Sequence, residues 1–325
     1  MLGLGIDTGL LLRGLHAMLG CVKRDRSIRP GFTLENDPVA LASESAVVCA
    51  PPEFKPDRME VMSHPGLGPQ VEVAPRVHFD CMVGTFNGAR NLTTGNVRIA
   101  PGGVLPYHKH DFAETVTLLS GSARFEVEGR IYAMEPLDNV SVPAGLAHRV
   151  TNRNSSADAV FHVAMNCEVP DRELVDTFFS KRSMPRRTNS VPGGERFTDF
   201  KSAERYDPGE GAAFVDYFND ALLPGFPMSG GYGLFDQGGR LPAHLHDFDE
   251  SIFIVEGSAT CLVEGRKYEL EAGSTALQPR GRIHYFINKS HEKMAMLWVY
   301  AGPMPERLVV NESCATRPEA AWPQS

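Results

Sequence analysis

The sequence predicts an all-β protein of two tandem barrels, and three observations carry that expectation. The chain repeats itself: GGVLPYHKHDFAE at 102–114 returns as GGRLPAHLHDFDE at 238–250, and GSARFEVEGRIY at 121–132 returns as GSATCLVEGRKY at 257–268. The offset is the same in both pairs, position 102 falling on 238 and 121 on 257. It persists without a gap to His148 and His284 and to Asn152 and Asn288. Two copies of one folding unit give such a register. Each copy consists of short runs rich in Val, Ile, Phe, Tyr and Thr, separated by Gly, Pro and Asn, which is the pattern of many short strands. Both copies also carry the same set of three histidines and one glutamate at the same places.

The elements follow in order. Residues 1–75 repeat nothing and carry no ligand-type cluster, so they are expected to be an extension, and a chain beginning at Met59 is expected to fold and hold metal. The first barrel is assigned to 76–170 and the second to 213–311. Between them, 171–212 reads as a linker with a short helix near 171–182, where Leu174, Val175, Phe178 and Phe179 share one face at helical spacing. The polar, Pro- and Gly-containing stretch from Pro185 to Gly194 is the expected connection. Residues 312–325 are a tail. Glu128-Gly129 and Glu264-Gly265 sit between β-rich runs as hairpin turns.

Bulk properties narrow the function classes. Of the 325 residues, 42% are hydrophobic and 22% charged, which suits a soluble globular chain of two domains. The net charge of -8 disfavours a nucleic-acid footprint, which needs a basic surface. No apolar run approaches the roughly 20 residues of a membrane helix. Asp7 and Arg13 interrupt the apolar Leu10–Leu12 stretch, so a secretory leader is not expected. The six cysteines, without a C-x-x-C pair, read as reduced thiols of a cytoplasmic protein.

Side chains at i and i+2 of a strand share a face. His108 with His110, and His244 with His246, can therefore point together into a barrel, and Glu114 and Glu250 keep the same parity. His148 and His284 follow tight turns, Pro143-Ala144-Gly145 and Pro279-Arg280-Gly281, and complete two four-residue sets. Three imidazoles and a carboxylate suit borderline divalent ions, Fe or Mn first, with Ni, Co and Zn also compatible, up to two per chain.

These residues resemble the two motifs of the cupin superfamily. Gly102, His108, His110, Glu114 and Gly121 fit the first, as do Gly238, His244, His246, Glu250 and Gly257. Gly273, Pro279, Gly281, His284 and Asn288 fit the second, and the first copy departs from it only at Leu137, where glycine is expected. The resemblance implies two tandem jelly-roll barrels and a wide range of chemistry, with quercetin dioxygenase-like and oxalate decarboxylase-like bicupins among its two-site members. The first expectation is a dioxygenase acting on a small enolisable or aromatic organic acid. A non-redox lyase, isomerase or decarboxylase is the alternative, and a small-molecule sensor a third. A homo-oligomer is the expected assembly.

Differences between the copies suggest which barrel is catalytic. Carried on at the same offset, His162 aligns with Trp298 and Arg124 with Thr260. His162 is a candidate proton shuttle and Arg124 a candidate carboxylate clamp, which favours the first barrel.

Overall fold

The computed structural model describes residues 50–186, 193–209 and 211–322. The readings made on the first 49 residues, including Cys21 and Cys49, lie outside the described residues. So does most of the Pro185–Gly194 connection.

The chain is nearly all β, in two barrels, each closed by two sheets. Among the described residues, the first barrel pairs a seven-stranded sheet, centred on Glu114–Ser120, Ala159–Met165 and Thr93–Ile99, with a six-stranded sheet that carries Val104–Lys109 and His148–Thr151. The second barrel repeats this with a seven-stranded sheet around Glu250–Glu256, Met294–Tyr300 and Ser229–Phe235, and a five-stranded sheet carrying His244–Leu245 and His284–Ile287. The two hairpin turns form where expected. Glu128 and Gly129, and Glu264 and Gly265, all have positive φ. Such left-handed residues give a two-residue hairpin the twist of its strands.

The central strands of the seven-stranded sheets are buried on both faces. Every residue of Met294–Tyr300 is buried. Met294, Met296, Trp298 and Tyr300 enter the core of the second barrel, while Ala295, Leu297 and Val299 enter a third core shared by both barrels. The first barrel is built alike: Ala159, Phe161, Val163 and Met165 face inward, and Ala164 joins the shared core. Continuous apolar runs, rather than alternation, are the sequence mark of such strands.

The repeat is longer than the motifs suggest, and its register changes. Val77 and Ala212 pair with equivalent residues, Ile99 and Phe235, so the offset there is one less than in the motifs. The motif offset holds from Thr93 to Asn152. The smaller one returns in the last strand, where Ala159 and Met294 hold equivalent positions opposite Ile99 and Phe235. The loop after Asn288 is therefore one residue shorter than the loop after Asn152.

Upstream, Val61–Ser63 adds an edge strand to the second barrel, pairing with Thr275–Gln278. Arg196–Thr198 adds the equivalent strand to the first, pairing with Asn139–Val142. Each strap is fixed by a buried glutamate. Glu60 accepts from Arg266 Nε (2.5 Å) and Tyr268 Oη (2.8 Å). Glu195 accepts from Arg130 Nε (2.7 Å) and Tyr132 Oη (2.5 Å). The tyrosines common to both copies thus serve the straps.

Two sequence expectations are corrected. The stretch 171–182 is not a helix. It crosses the first barrel in extended form, pairing Glu173–Leu174 with Lys109 and His108 and Arg182–Ser183 with Arg130 and Ile131. A helix confined between Pro170 and Pro185 would be marginal, and sheet edges satisfy the same backbone groups. Phe178, a member of the supposed apolar face, is 90% exposed. Within the segment assigned as an extension, the described residues 50–75 pack on both barrels: besides the 61–63 strap, Gln70–Ala74 pairs with Val77–Val83. The tail also packs, with Cys314, Ala315 and Ala321 buried against Leu245 and Ile283.

Leu137, the departure from the second motif, has φ 70° and is fully buried between the barrels. A left-handed backbone costs a non-glycine residue about 1–2 kcal/mol, less than the roughly 2–5 kcal/mol lost when a core leucine is truncated. Packing wins, and the turn is held by Asp138, which accepts from Glu135 N at 2.7 Å.

Arg58 makes a two-pronged ion pair with Asp249, both contacts at 2.8 Å, and the Asp249 side chain is 2% exposed. A chain beginning at Met59 retains the Glu60 strap but takes from that carboxylate its ion-pair partner, leaving it the backbone N–H groups of Arg90 and Arg280. It is expected to lose on the order of 2–3 kcal/mol of stability, the low end of buried-pair losses because Arg58 keeps some solvent contact. Urea unfolding of chains beginning at Ala50 and at Met59 measures the difference; equal midpoints would show that Arg58 anchors nothing.

Candidate metal centres

Each barrel brings its four ligand-type residues together. In the first, His108 leaves the six-stranded sheet and His110 the turn beyond it, Glu114 opens the facing strand, and His148 pairs directly opposite His108. The ligand atoms of His108, His110, Glu114 and His148 lie within 4.8 Å of one another, as do those of His244, His246, Glu250 and His284. The ring spacings nearly coincide: 6.0 and 6.1 Å for the His-x-His pairs, 5.1 and 5.2 Å from His110 to His148 and from His246 to His284.

The motif residues around them fix this geometry. Gly145 N donates to His110 O (2.8 Å), and Gly281 N donates to His246 O (2.9 Å), which ties the Pro-x-Gly turn to the His-x-His segment. Asn152 and Asn288 close the following loop through their amide nitrogens. Gly121 and Gly257 are left-handed, and a Cβ at either would collide with a backbone oxygen, that of Asp158 or of Lys293.

The protonation pattern matches metal ligation. All six histidines donate from Nδ1 to a backbone carbonyl at 2.6–2.9 Å: Pro106, Phe112 and Leu146 in the first barrel, Pro242, Phe248 and Arg282 in the second. A neutral ring anchored in this way turns the Nε2 lone pair inward. Yet His110 and His148 Nε2 lie 3.1 and 2.8 Å from Glu114 Oε2, and His246 and His284 Nε2 both lie 3.0 Å from Glu250 Oε2. Contacts at that range need positive charge between ring and carboxylate: a proton on Nε2 supplies it without metal, and a divalent ion held by the four residues would supply it in the proton's place. Burial, with His148 opposite, pushes His108 down to about 4, and burial with His284 and Arg307 holds His244 well below the ordinary histidine range. Burial alone would raise Glu114, but the adjacent His110 and His148 rings outweigh it and hold the carboxyl well below the usual range.

The surroundings of the two centres differ. A cavity of about 540 Å³ reaches His108, His110 and Glu114, walled by Phe79, Val97, Leu105, Val163 and Met165. Its charged lining residues Glu72, Glu168, Asp171 and Arg172 are exposed, at the rim. At the second centre the positions of Val163 and Met165 are taken by Trp298 and Tyr300. Tyr300 packs 5.1 Å from the His246 ring, and the ligands of this centre are no more than 3% exposed. The counterpart of Arg172 is Arg307, one residue before the strand that pairs with His244 and Leu245.

The two candidate catalytic residues lie elsewhere. His162 has the parity of the shared core; its ring packs 5.1 Å from Phe253 of the second barrel and does not face the first cavity. The one-residue loop difference makes its true counterpart Leu297, not Trp298. Arg124 alternates with the inward-facing Phe125 and lies on the outer face, with Nε 2.9 Å from the buried Glu126, which Arg149 also contacts at 2.7 Å. Neither approaches a metal centre. Tyr300 and Arg307 are functional candidates the sequence reading missed; correcting the register after Asn288 would have found Tyr300.

The comparisons agree with this architecture. The family model for the cupin domain matches residues 95–165 and again 231–300. The chain carries the cupin domain twice and is a bicupin. A curated germin-like protein of Morus alba is 30% identical over 112 residues, 33% of this chain, and the chain spans about half (53%) of that relative. Oxalate decarboxylase from Lactobacillus farciminis superposes with TM-score 0.62 at 16% identity, covering 79% of this chain and 90% of that one. A Bacillus subtilis oxalate decarboxylase mutant gives 0.63 at 16%, covering 83% and 85%. Procruciferin, an 11S globulin of Brassica napus, gives 0.62 at 11%, covering 78% and 86%. At these identities the likeness is one of fold.

Two outcomes follow. Replacing His108 and His110 by Ala is expected to reduce bound transition metal from two ions per chain to one, read by elemental analysis; loss of both would indicate global misfolding. Burial holds His162 down at about 3, below its ordinary 6.5, so its contribution to stability is full above pH 6.5 and is lost as pH falls toward 3. Between pH 7 and pH 5 this group costs about 2 kcal/mol. His162→Leu is expected to lose that much less stability over the same interval in urea unfolding, and parallel losses would contradict the assignment.

Proposed function

We propose that the chain is a metal-dependent dioxygenase whose first barrel takes a small enolisable or aromatic organic acid. One observation carries the reading: an open, apolar cavity of about 540 Å³ ends on three of the four ligands. Four protein ligands on a six-coordinate ion leave two positions, so Fe or Mn there would supply a Lewis-acid centre able to orient substrate and O₂. Phe79, Val97, Leu105 and Met165 would hold a ring or alkyl body and keep water from it, and exposed Arg172 at the rim suits an entering carboxylate. The inner wall offers the Thr93 hydroxyl, which already donates to Cys167 O at 2.8 Å. Walls so poor in proton donors support oxygen chemistry over acid–base chemistry. The support for the first barrel is thus its access and shape, not His162 or Arg124.

Non-redox decarboxylation is the second reading. It is supported by the superposition on oxalate decarboxylases and by the tyrosine and arginine beside the second centre. Among the described residues no helix is long and apolar enough to cross a membrane. Action in the cytoplasm as a homo-oligomer remains part of the proposal; exposed Leu67, Val71 and Val169 in the first barrel favour the oligomer, since exposed apolar clusters mark contact surfaces.

The test is O₂ uptake by metal-loaded protein over a panel of enolisable and aromatic acids. Uptake in step with acid consumption is expected, with Glu114→Gln lowering turnover about 10- to 100-fold and Glu250→Gln leaving it largely intact. CO₂ release without O₂ uptake would replace this reading with the decarboxylase, and the reverse order of the two variants would move catalysis to the second barrel.

A further inference from the structure

Arg307 differs from four arginines that are held by carboxylates. Arg130, Arg186, Arg266 and Arg282 each face a carboxylate: Glu195, Asp138 with Asp199, Glu60, and Glu264. The guanidinium Nε and Nη1 of Arg307 are buried and have no hydrogen-bond acceptor. The group hydrogen-bonds the Tyr300 side chain and lies 6.0 Å from the centre of its ring, which leaves Nε and Nη1 as the unpaired nitrogens. That ring in turn packs 5.1 Å from His246, 5.1 Å from Phe248 and 5.2 Å from Trp298. The guanidinium charge acts on His244 and Glu250. Glu250 itself is engaged by His246 and His284. Trp298 Nε1 is a further buried donor without an acceptor.

Orphaned donors at one end of a metal centre, one of them a desolvated cation, describe a receptor for an anion. A guanidinium matches a carboxylate better than a spherical ion, because its planar fork presents paired N–H donors. The enclosing Trp298, Tyr300 and Phe248 limit the ligand to a small molecule. Duplication supplies a contrast: the equivalent Arg172 is exposed and donates to Val73 O. The same position, one residue before the edge strand that pairs with the first motif histidine, carries an arginine in both barrels; it is exposed at the first centre and half-buried at the second, with Nε and Nη1 out of solvent.

We propose that Arg307 is the carboxylate-recognition residue of the second metal centre, which binds a small organic acid. This is independent of the reading of the first barrel, and its test reports on the second barrel alone. The chain has two tryptophans, so in a Trp322→Phe background Trp298 is the single indole reporter. Metal-loaded and chelator-treated protein are titrated at constant ionic strength with malonate, acetate or formate, and separately with chloride and sulfate. A saturable change in Trp298 fluorescence is expected with the carboxylates. Arg307→Gln should weaken it at least tenfold, and Arg307→Lys should bind between these limits. No saturable response to any carboxylate overturns the proposal, as does an equal response to sulfate or chloride, which would mark a general anion hole. A folded Arg307→Gln that titrates like the parent overturns it too. Should Arg307→Gln fail to fold, Arg307→Lys decides: affinity at least threefold weaker supports the fork, and unchanged affinity overturns it.

Discussion

The central strands of each seven-stranded sheet are buried on both faces, one against their own barrel and one against the other barrel, and side-chain parity therefore decides what a residue there can do. Along Met294–Tyr300, Trp298 and Tyr300 see the second metal centre, while Leu297 and Val299 see the neighbouring sheet. A shift of one residue exchanges the two sets entirely. The metal centres depend on this alternation because Glu114 and Glu250 open strands of these sheets and must turn inward to meet histidines from the opposite sheet. The shared core depends on it as well: Tyr217 Oη donates to Leu137 O at 2.8 Å across the barrels, and Thr94 meets Ser251 at 2.9 Å.

Orientation of the histidines is the second layer of the same design. A strand delivers an imidazole to the barrel interior but leaves ring rotation and tautomer free; the carbonyls of Pro106, Phe112 and Leu146, and their counterparts, remove that freedom. Because the acceptors are backbone atoms two residues away, the ligand set is organised by local chain geometry. This explains how two centres with nearly identical spacings persist in surroundings that have diverged. The inner wall changed by single side chains, Val163 to Trp298 and Met165 to Tyr300, without disturbing the rings they pack beside.

What was legible in the sequence follows from what each signal physically encodes. The eight ligands and the hairpin turns were readable because spacing and left-handed glycines report local geometry, and gapless repetition fixed the duplication. His162 was misplaced because a one-residue difference in the loop after Asn152 and Asn288 inverts the parity of the whole following strand, which an apolar run such as AVFHVAM cannot signal. Arg124 was singled out because the copies differ there, Arg against Thr260, but a difference between copies does not say which face of a strand a residue occupies, and Arg124 lies on the outer face beside Glu126. The supposed helix at 171–182 failed because exposed apolar spacing carries no information about a nearby sheet edge. Glu60 and Glu195 escaped notice because the sequences around them, EVMS and ERFT, share little beyond the glutamate; the equivalence lies in what they bind.

The straps explain why duplication gave one body and not two beads. Glu60 precedes the first barrel in the chain yet closes the second through Arg266 and Tyr268, and Glu195 precedes the second yet closes the first through Arg130 and Tyr132. Each barrel is thereby completed by chain that leads into the other, and the apolar outer faces of the seven-stranded sheets need never meet solvent. With the frame held from both ends, the outer sheets and their mouths are free to diverge. The first mouth, bounded by an exposed extended segment, stays open above its metal ligands. At the second, Trp298 and Tyr300 stand where the first has Val163 and Met165, and a half-buried Arg307 replaces the exposed Arg172. A guanidinium with two nitrogens withdrawn from solvent and unpaired is tolerable only where the fold compensates elsewhere or where a ligand completes it, and here it stands beside four residues suited to a metal ion.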